Sequence, residues 1–292
     1  MRVLFLLALA PLILSGGLLA RGTELLILLA FAQSWNMVAG PAGMLSLGHH
    51  AFYAIGGYAL FVLSAGGIHP WAALPLAGLI AGLAGVLVSP LVLRLRGPGF
   101  AVGLWALAEA LRLAIARLDV FGGSSGLPLR AARALNRAWM GPVAFWLALG
   151  LALLVSFALA RGLGGFSLHL RALRDDEVAA RAMGLAAGPL RVAVFAASAT
   201  VAGAAGALGF LTTLFITPSA AFDMTRLATV VFVVLIGGLG RAWGPVLGIA
   251  LWAILRETLS FAPGAAFAGL GVLAILVTLY APKGLAGYLN LR

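Results

Sequence analysis

The stretch RALRDDEVAARAMG, residues 171–184, gathers charge in a chain of which only 9% is charged. Arg171, Arg174, Asp175, Asp176, Glu177 and Arg181 carry that charge, and Leu173, Ala180, Met183 and Gly184 are spaced to share one helical face. Glu177 and Arg181 stand four apart, where opposite charges meet on a helix, and two acids precede them where a helix amino end favours anions. Gly184 is a natural stop. Such a helix makes contacts rather than bonds. Either it lies on the lipid interface, or it is a knob for a partner's groove. Three consecutive acids are repelled by anionic lipid, which favours the protein partner.

Glu109 falls in the middle of the apolar run 99–118, where an ionised carboxylate is expensive and needs a partner or a pathway. Arg112 is one turn on, so the two form either a structural pair or part of a substrate path. In GPAGMLSLGHHAFYAIGGYA, residues 40–59, glycines and Pro41 weaken a helix between two apolar runs. In a bilayer, broken backbone is tolerated only inside protein or along a cavity, and Asn36, Ser46 and His49 would then contribute to a translocation path. The alternative is a short turn followed by a glycine-rich packing helix. His49 and His50 are sequence neighbours and point to different faces of a helix; with no carboxylate or thiol nearby they make no metal site.

No nucleotide loop, Ser/His/Asp set or metal cluster is legible, so catalysis has no footing and the chain reads as a conduit. Sixty-three per cent of its 292 residues are hydrophobic and its mean hydropathy is +1.12. A soluble surface needs roughly 25% charged residues, so the lipid bilayer is the solvent. The runs are continuous rather than alternating, which predicts an all-α polytopic membrane protein and excludes a β-barrel. The net charge of +11 comes from scattered arginines, not from a cluster interleaved with aromatics, so nucleic acid is no partner. Absence of cysteine excludes disulfides and thiol chemistry.

The elements that must position these residues are apolar runs of spanning length, at 3–20, 23–39, 51–67, 72–93, 99–118, 141–160, 190–216, 225–239, 243–261 and 265–281. About ten helices are expected, within a range of eight to ten, in one transmembrane domain covering 1–292. Pro90, Gly141-Pro142, Pro218 and Pro263 are among the expected boundaries. Run 3–20 is long for a signal-peptide core, so a retained first helix is expected rather than cleavage after Ala20. With a cytoplasmic amino terminus, eleven basic residues fall inside and seven outside, with Arg112 within a span. Residues 119–140 then form an outer loop, and residues 161–189 an inner one that contains the charged stretch. Close-packing glycines recur at 78 and 82, at 99 and 103, and at 203, 206 and 209.

Six motifs, GMLSLGHHAFYAIGGY, RLRGPGFAVGLWALAEALR, FGGSSGL, RALRDDEVAARAMG, VVFVVLIGGLGRAWGPVLG and APKGLAGYL, together resemble the permease subunits of branched-chain amino-acid ABC importers, the LIV type. The second and third are more similar to the LivM-like subunit than to its LivH-like partner. The resemblance implies an ABC importer permease fold in a bacterial inner membrane. It also implies a heterodimer with a second LIV-type permease subunit, two cytoplasmic ABC ATPase subunits that bind ATP and magnesium, and a periplasmic substrate-binding protein. No cofactor belongs to the chain itself. The segment of Arg171, Arg174, Asp175, Glu177, Ala179, Ala180, Met183 and Gly184 then resembles the ATPase-coupling loop, usually Glu-Ala-Ala with a downstream glycine; here Val178 intervenes. Pro98, His50 and Lys283 also depart from the family's usual residues. Relatives of this fold move urea, short amides or other amino acids, and an ion-coupled carrier using Glu109 is the competing class.

Overall fold

A chain in lipid must satisfy its backbone internally, and continuous apolar runs do so as helices. The computed structural model describes residue 11 and residues 16–95, 97–161, 165–259, 261–281 and 283–289. Thirteen α-helices lie within them: α1 (Gly16–Ala39), α2 (His50–Ala65), α3 (Pro70–Val92), α4 (Pro98–Arg117), α5 (Arg137–Ala160), α6 (Phe166–Asp175), α7 (Glu177–Ala182), α8 (Ala187–Thr213), α9 (Pro218–Ala221), α10 (Met224–Gly237), α11 (Gly244–Thr258), α12 (Pro263–Tyr280) and α13 (Gly284–Tyr288). Among the described residues, seven helical stretches are long and apolar enough to cross a membrane, and α2 is a shorter apolar helix. The protein is an all-α, multi-pass membrane protein.

Helix α8 is the central post, packed against α1, α2, α3 and α5. Its small residues let the neighbours come close. A Cβ on Gly56 would strike the backbone of Gly203, and one on Gly206 the backbone of Tyr53. Contacts between distant segments define two ends of the bundle. At one end Arg174 reaches Gly40, and Asn36 reaches Gly240 and Arg241. At the other, His69 meets Ala134, and Leu129 pairs with Leu214.

Several boundaries differ from the sequence reading. Most of run 3–20 lies outside the described residues, but its last five residues are continuous with run 23–39 as α1. Arg21 and Gly22 do not break that helix, because Arg21 pairs with Glu257 at 2.8 Å and Gly22 packs on Phe145. Pro90 and Pro142 sit inside helices, as neighbouring spans allow. Run 190–216 stops at Thr213, where Leu214 turns left-handed (φ 58°) and two-residue strand β2 (Phe215–Ile216) pairs antiparallel with β1 (Leu127–Pro128). This ladder ties the 119–140 loop to the end of α8. Two residues carry no alternation, so the pairing had no sequence signal.

Candidate functional site

The chain between α1 and α2 leaves the helical state over residues 40–49 and returns into the bundle before α2 begins at His50. Residues 40–59 are thus an unwound stretch followed by a short helix. Several of the polar groups in and around the stretch are taken up by protein. The Trp35 indole donates to the Ser46 carbonyl at 2.8 Å, Met44 N–H to Val38 at 3.1 Å, and the Arg174 guanidinium to the Gly40 carbonyl at 3.0 Å. Gly48 lies against the Leu104 backbone, an approach that a Cβ would prevent. Residues 42–45 border a cavity of about 530 Å³, shared with Leu93, Phe100, Arg174 and Glu177.

His49 is fully buried at the inner end of this stretch. Its Nε2 stands 3.0 Å from Ser198 Oγ and 3.3 Å from Ser34 Oγ. Both hydroxyl protons are already committed, Ser198 Oγ donating to the Ser34 carbonyl at 2.6 Å and Ser34 Oγ to that of Phe31 at 2.7 Å. The imidazole must therefore donate from Nε2 and leave Nδ1 as an acceptor, which has no partner among the described residues. Phe31 stacks on the ring at 5.9 Å and Phe52 meets it edge-on at 5.6 Å. His50 points elsewhere, towards Phe222.

The other pathway candidates separate. Ser46 is buried near Trp35, with its hydroxyl unpartnered. Asn36 is a clamp: its Nδ2 donates to Arg241 O at 3.0 Å, and Gly240 N–H donates to its Oδ1 at 2.7 Å. Gln33 adds a bond to Ala242 O at 2.7 Å. Together they pin the GGLGRAW turn against α1. Glu109 is bonded to none of these. It is paired with Arg112 (Arg112 Nε to Glu109 Oε2, 2.8 Å) on the open side of α4, with side chains 41% and 31% exposed.

The charged stretch is two helices meeting at a kink, not one helix. Arg171, Arg174 and Asp175 belong to α6; Asp176, extended at φ −152°, caps α7 by accepting from Val178 N at 2.9 Å and Ala179 N at 3.0 Å. Such a cap contributes about 1 kcal/mol. Glu177 bridges Arg181 at 2.7 Å and Arg191 at 3.1 Å, fastening α7 to the start of α8. Gly184 ends the helix at φ +86°. Leu173 and Ala180 are buried together with Ala187. Met183 does not share their face: the helix ends before it, and it is 72% exposed beside Val178 at 80%. We call α6 and α7 the knuckle. Arg191, Gln33, Ser34 and Ser198 escaped the sequence reading. The polar run Gln33-Ser34-Trp35-Asn36 at the end of a span was a usable signal; Ser198, in an alanine-rich run, gave none.

A many-helix membrane bundle with one unwound crossing and an anchored knuckle defines a membrane transport subunit. The chain belongs to the family described as branched-chain amino acid transport system / permease component, which matches residues 19–280. It is similar to the high-affinity branched-chain amino acid transport system permease proteins LivM of Salmonella typhimurium and Escherichia coli. Each is 30% identical over 94% of this chain and 71% of the relative. A probable LivM of Methanocaldococcus jannaschii is 29% identical over 72% of this chain and 67% of the relative. No solved structure matches.

Proposed function

We propose that this chain is a permease subunit of an ATP-driven importer, passing branched-chain or related hydrophobic amino acids from an external binding protein to the cytoplasm. Family membership supports the substrate class. The observation that carries the ATP-driven part is the knuckle. Its buried side, Leu170, Leu173 and Ala180, fastens it to the bundle, while Val178 and Met183 are exposed in a segment that also carries the exposed charges Asp175 and Arg181. Exposed apolar side chains in a charged segment suit a protein groove. In this reading two cytoplasmic ATPases, which bind ATP and magnesium, grip the knuckle, and a second LIV-type permease subunit completes the membrane unit. The knuckle end then faces the cytoplasm and the 119–140 loop faces outward, where the binding protein docks. The expectation of a cytoplasmic amino terminus falls on residues outside the described ones.

In this reading two links run from the knuckle towards the path. Residues 183–186 join α7 directly to α8, which carries Ser198 and so His49. Arg174 ties α6 to the Gly40 carbonyl, at the root of the unwound stretch. A carrier coupled through Glu109 finds less support, because Arg112 neutralises that carboxylate and Glu109 does not line the cavity beside residues 42–45. The test is co-purification with the ATPases, combined with leucine uptake by the assembled complex. Uptake is expected to stop when the ATPase nucleotide sites are inactivated. Uptake that survives this and collapses with the proton gradient overturns the reading, and competition by urea or short amides would redirect the substrate.

A further inference from the structure

The helices α10 and α11 form a hairpin whose turn, at residues 238–243, lies at the knuckle end. At the other end of the hairpin, a cavity of about 610 Å³ opens among α1, α2, α5, α8, α10 and α11. That volume is typical of small-molecule sites. Phe31 and Tyr53, 5.0 Å apart, are among its lining residues, and Phe31 is the ring stacked on His49.

Four charged side chains line this cavity, and two are neutralised locally: Glu24 takes Arg256 at 2.9 Å. Asp223 and Arg226 are different. They stand one turn apart at the start of α10, yet they form no ion pair with each other or with any other described residue. Asp223 Oδ1 caps the helix by accepting from Thr225 N at 2.9 Å, which leaves its second oxygen uncommitted. Arg226 Nη1 donates to Ala220 O at 2.9 Å, and its guanidinium lies 4.8 Å above the Tyr53 ring. Two opposite charges that line one cavity and do not neutralise each other call for something between them.

We propose that this cavity binds a free α-amino acid with an aliphatic side chain. Arg226 receives the carboxylate, Asp223 receives the ammonium, and Ile27, Leu28, Phe31 and Trp252 form the apolar wall for the side chain. Side chains three apart on a helix are about 5–6 Å apart at Cβ, which suits the two adjacent charges of one zwitterion. The inference rests on the import reading and adds the place where solute waits on the outward side. An acid or an amine alone satisfies one charge and leaves the other unpaired, so the site selects for the zwitterion.

The test uses the assembled transporter in nanodiscs with L-leucine, 4-methylpentanoate and 3-methylbutylamine as probes, read by direct radioligand binding without binding protein. Leucine is expected to bind at least about tenfold more tightly than either analogue. Asp223→Asn keeps the helix cap, and Arg226→Lys keeps the cation. D223N and R226Q are expected to raise the uptake KM about tenfold or more, with R226K recovering part of the loss. Equal binding of all three probes, or an unchanged KM in both D223N and R226Q, overturns the site and leaves ATP-driven import standing. Loss of ATPase-dependent uptake in the unaltered complex would instead sink the parent reading.

Discussion

His49 shows how much one side chain can be fixed by the protons around it. The donors on Ser34 and Ser198 point at carbonyls, so the ring is left a single tautomer. Ser198→Ala removes an acceptor for Nε2–H and the bond to Ser34 O together. Hydrogen bonds inside membrane bundles contribute about 0.6–1.7 kcal/mol, so S198A is expected to lower thermal stability in detergent by an amount in that range. S198T, which keeps the hydroxyl, is expected to lose less. An unshifted melting curve for S198A would show that Ser34 and the aromatic neighbours hold the imidazole without Ser198. At this scale the sequence revealed what is local. Glu109 and Arg112 meet because they are three apart, and Glu177 and Arg181 because they are four apart. Ser198 lies 149 residues from His49, and the turn that Asn36 clamps lies more than 200 residues from it, and no spacing rule reaches that far.

Among elements, the unwound stretch and the knuckle form one device joined by Arg174. Its guanidinium holds the Gly40 carbonyl, and its aliphatic stem lies against Gly43, where a Cβ would collide with it. Arg174→Ala is expected to leave membrane insertion and ATP hydrolysis intact while cutting uptake several-fold, because one of the two links is severed. Glu177→Lys is harsher: it sets a third cation beside Arg181 and Arg191 and frees α7 from α8. Gly184→Val forces a β-branched residue to φ +86°, at a cost of about 1–2 kcal/mol or more, and alters how α7 hands over to α8. Both are expected to raise the ATP hydrolysed per leucine carried; an unchanged ratio in both would remove the knuckle from the coupling path. The helical runs were readable because lipid demands long apolar stretches. The kink at Asp176 was not, since DDE reads equally well as the first turn of one helix or as a cap between two. Only burial of Leu173 and Ala180 against Ala187, a tertiary contact, decides it and turns Met183 outward.

For the molecule as a whole, the informative surface is α4. Only Phe100, Ala101, Leu104 and Ala108 of its twenty residues are buried, and the opposite face carries Val102, Trp105, Glu109, Arg112 and Leu113 at helical spacing. Facing acyl chains, charged side chains at mid-span cost about 2.5–3.5 kcal/mol each. Pairing relieves part of that, but the two side chains remain 41% and 31% exposed, with donors and acceptors that lipid cannot match. The second permease subunit of the proposed assembly is the natural cover. The absence of native cysteine makes the test clean, because any introduced thiol is unique in this chain. Cysteine at Trp105 or Leu113 is expected to form cross-links to the second subunit with a short bifunctional reagent. Cysteine at Val272 or Leu276, on the exposed side of α12, is expected to form none. Cross-linking from α12 and none from α4 would turn the heterodimer round and leave Glu109–Arg112 facing lipid. In that arrangement, Glu109→Gln combined with Arg112→Leu should stabilise the complex; with α4 at the interface, the same double substitution is expected to weaken subunit association.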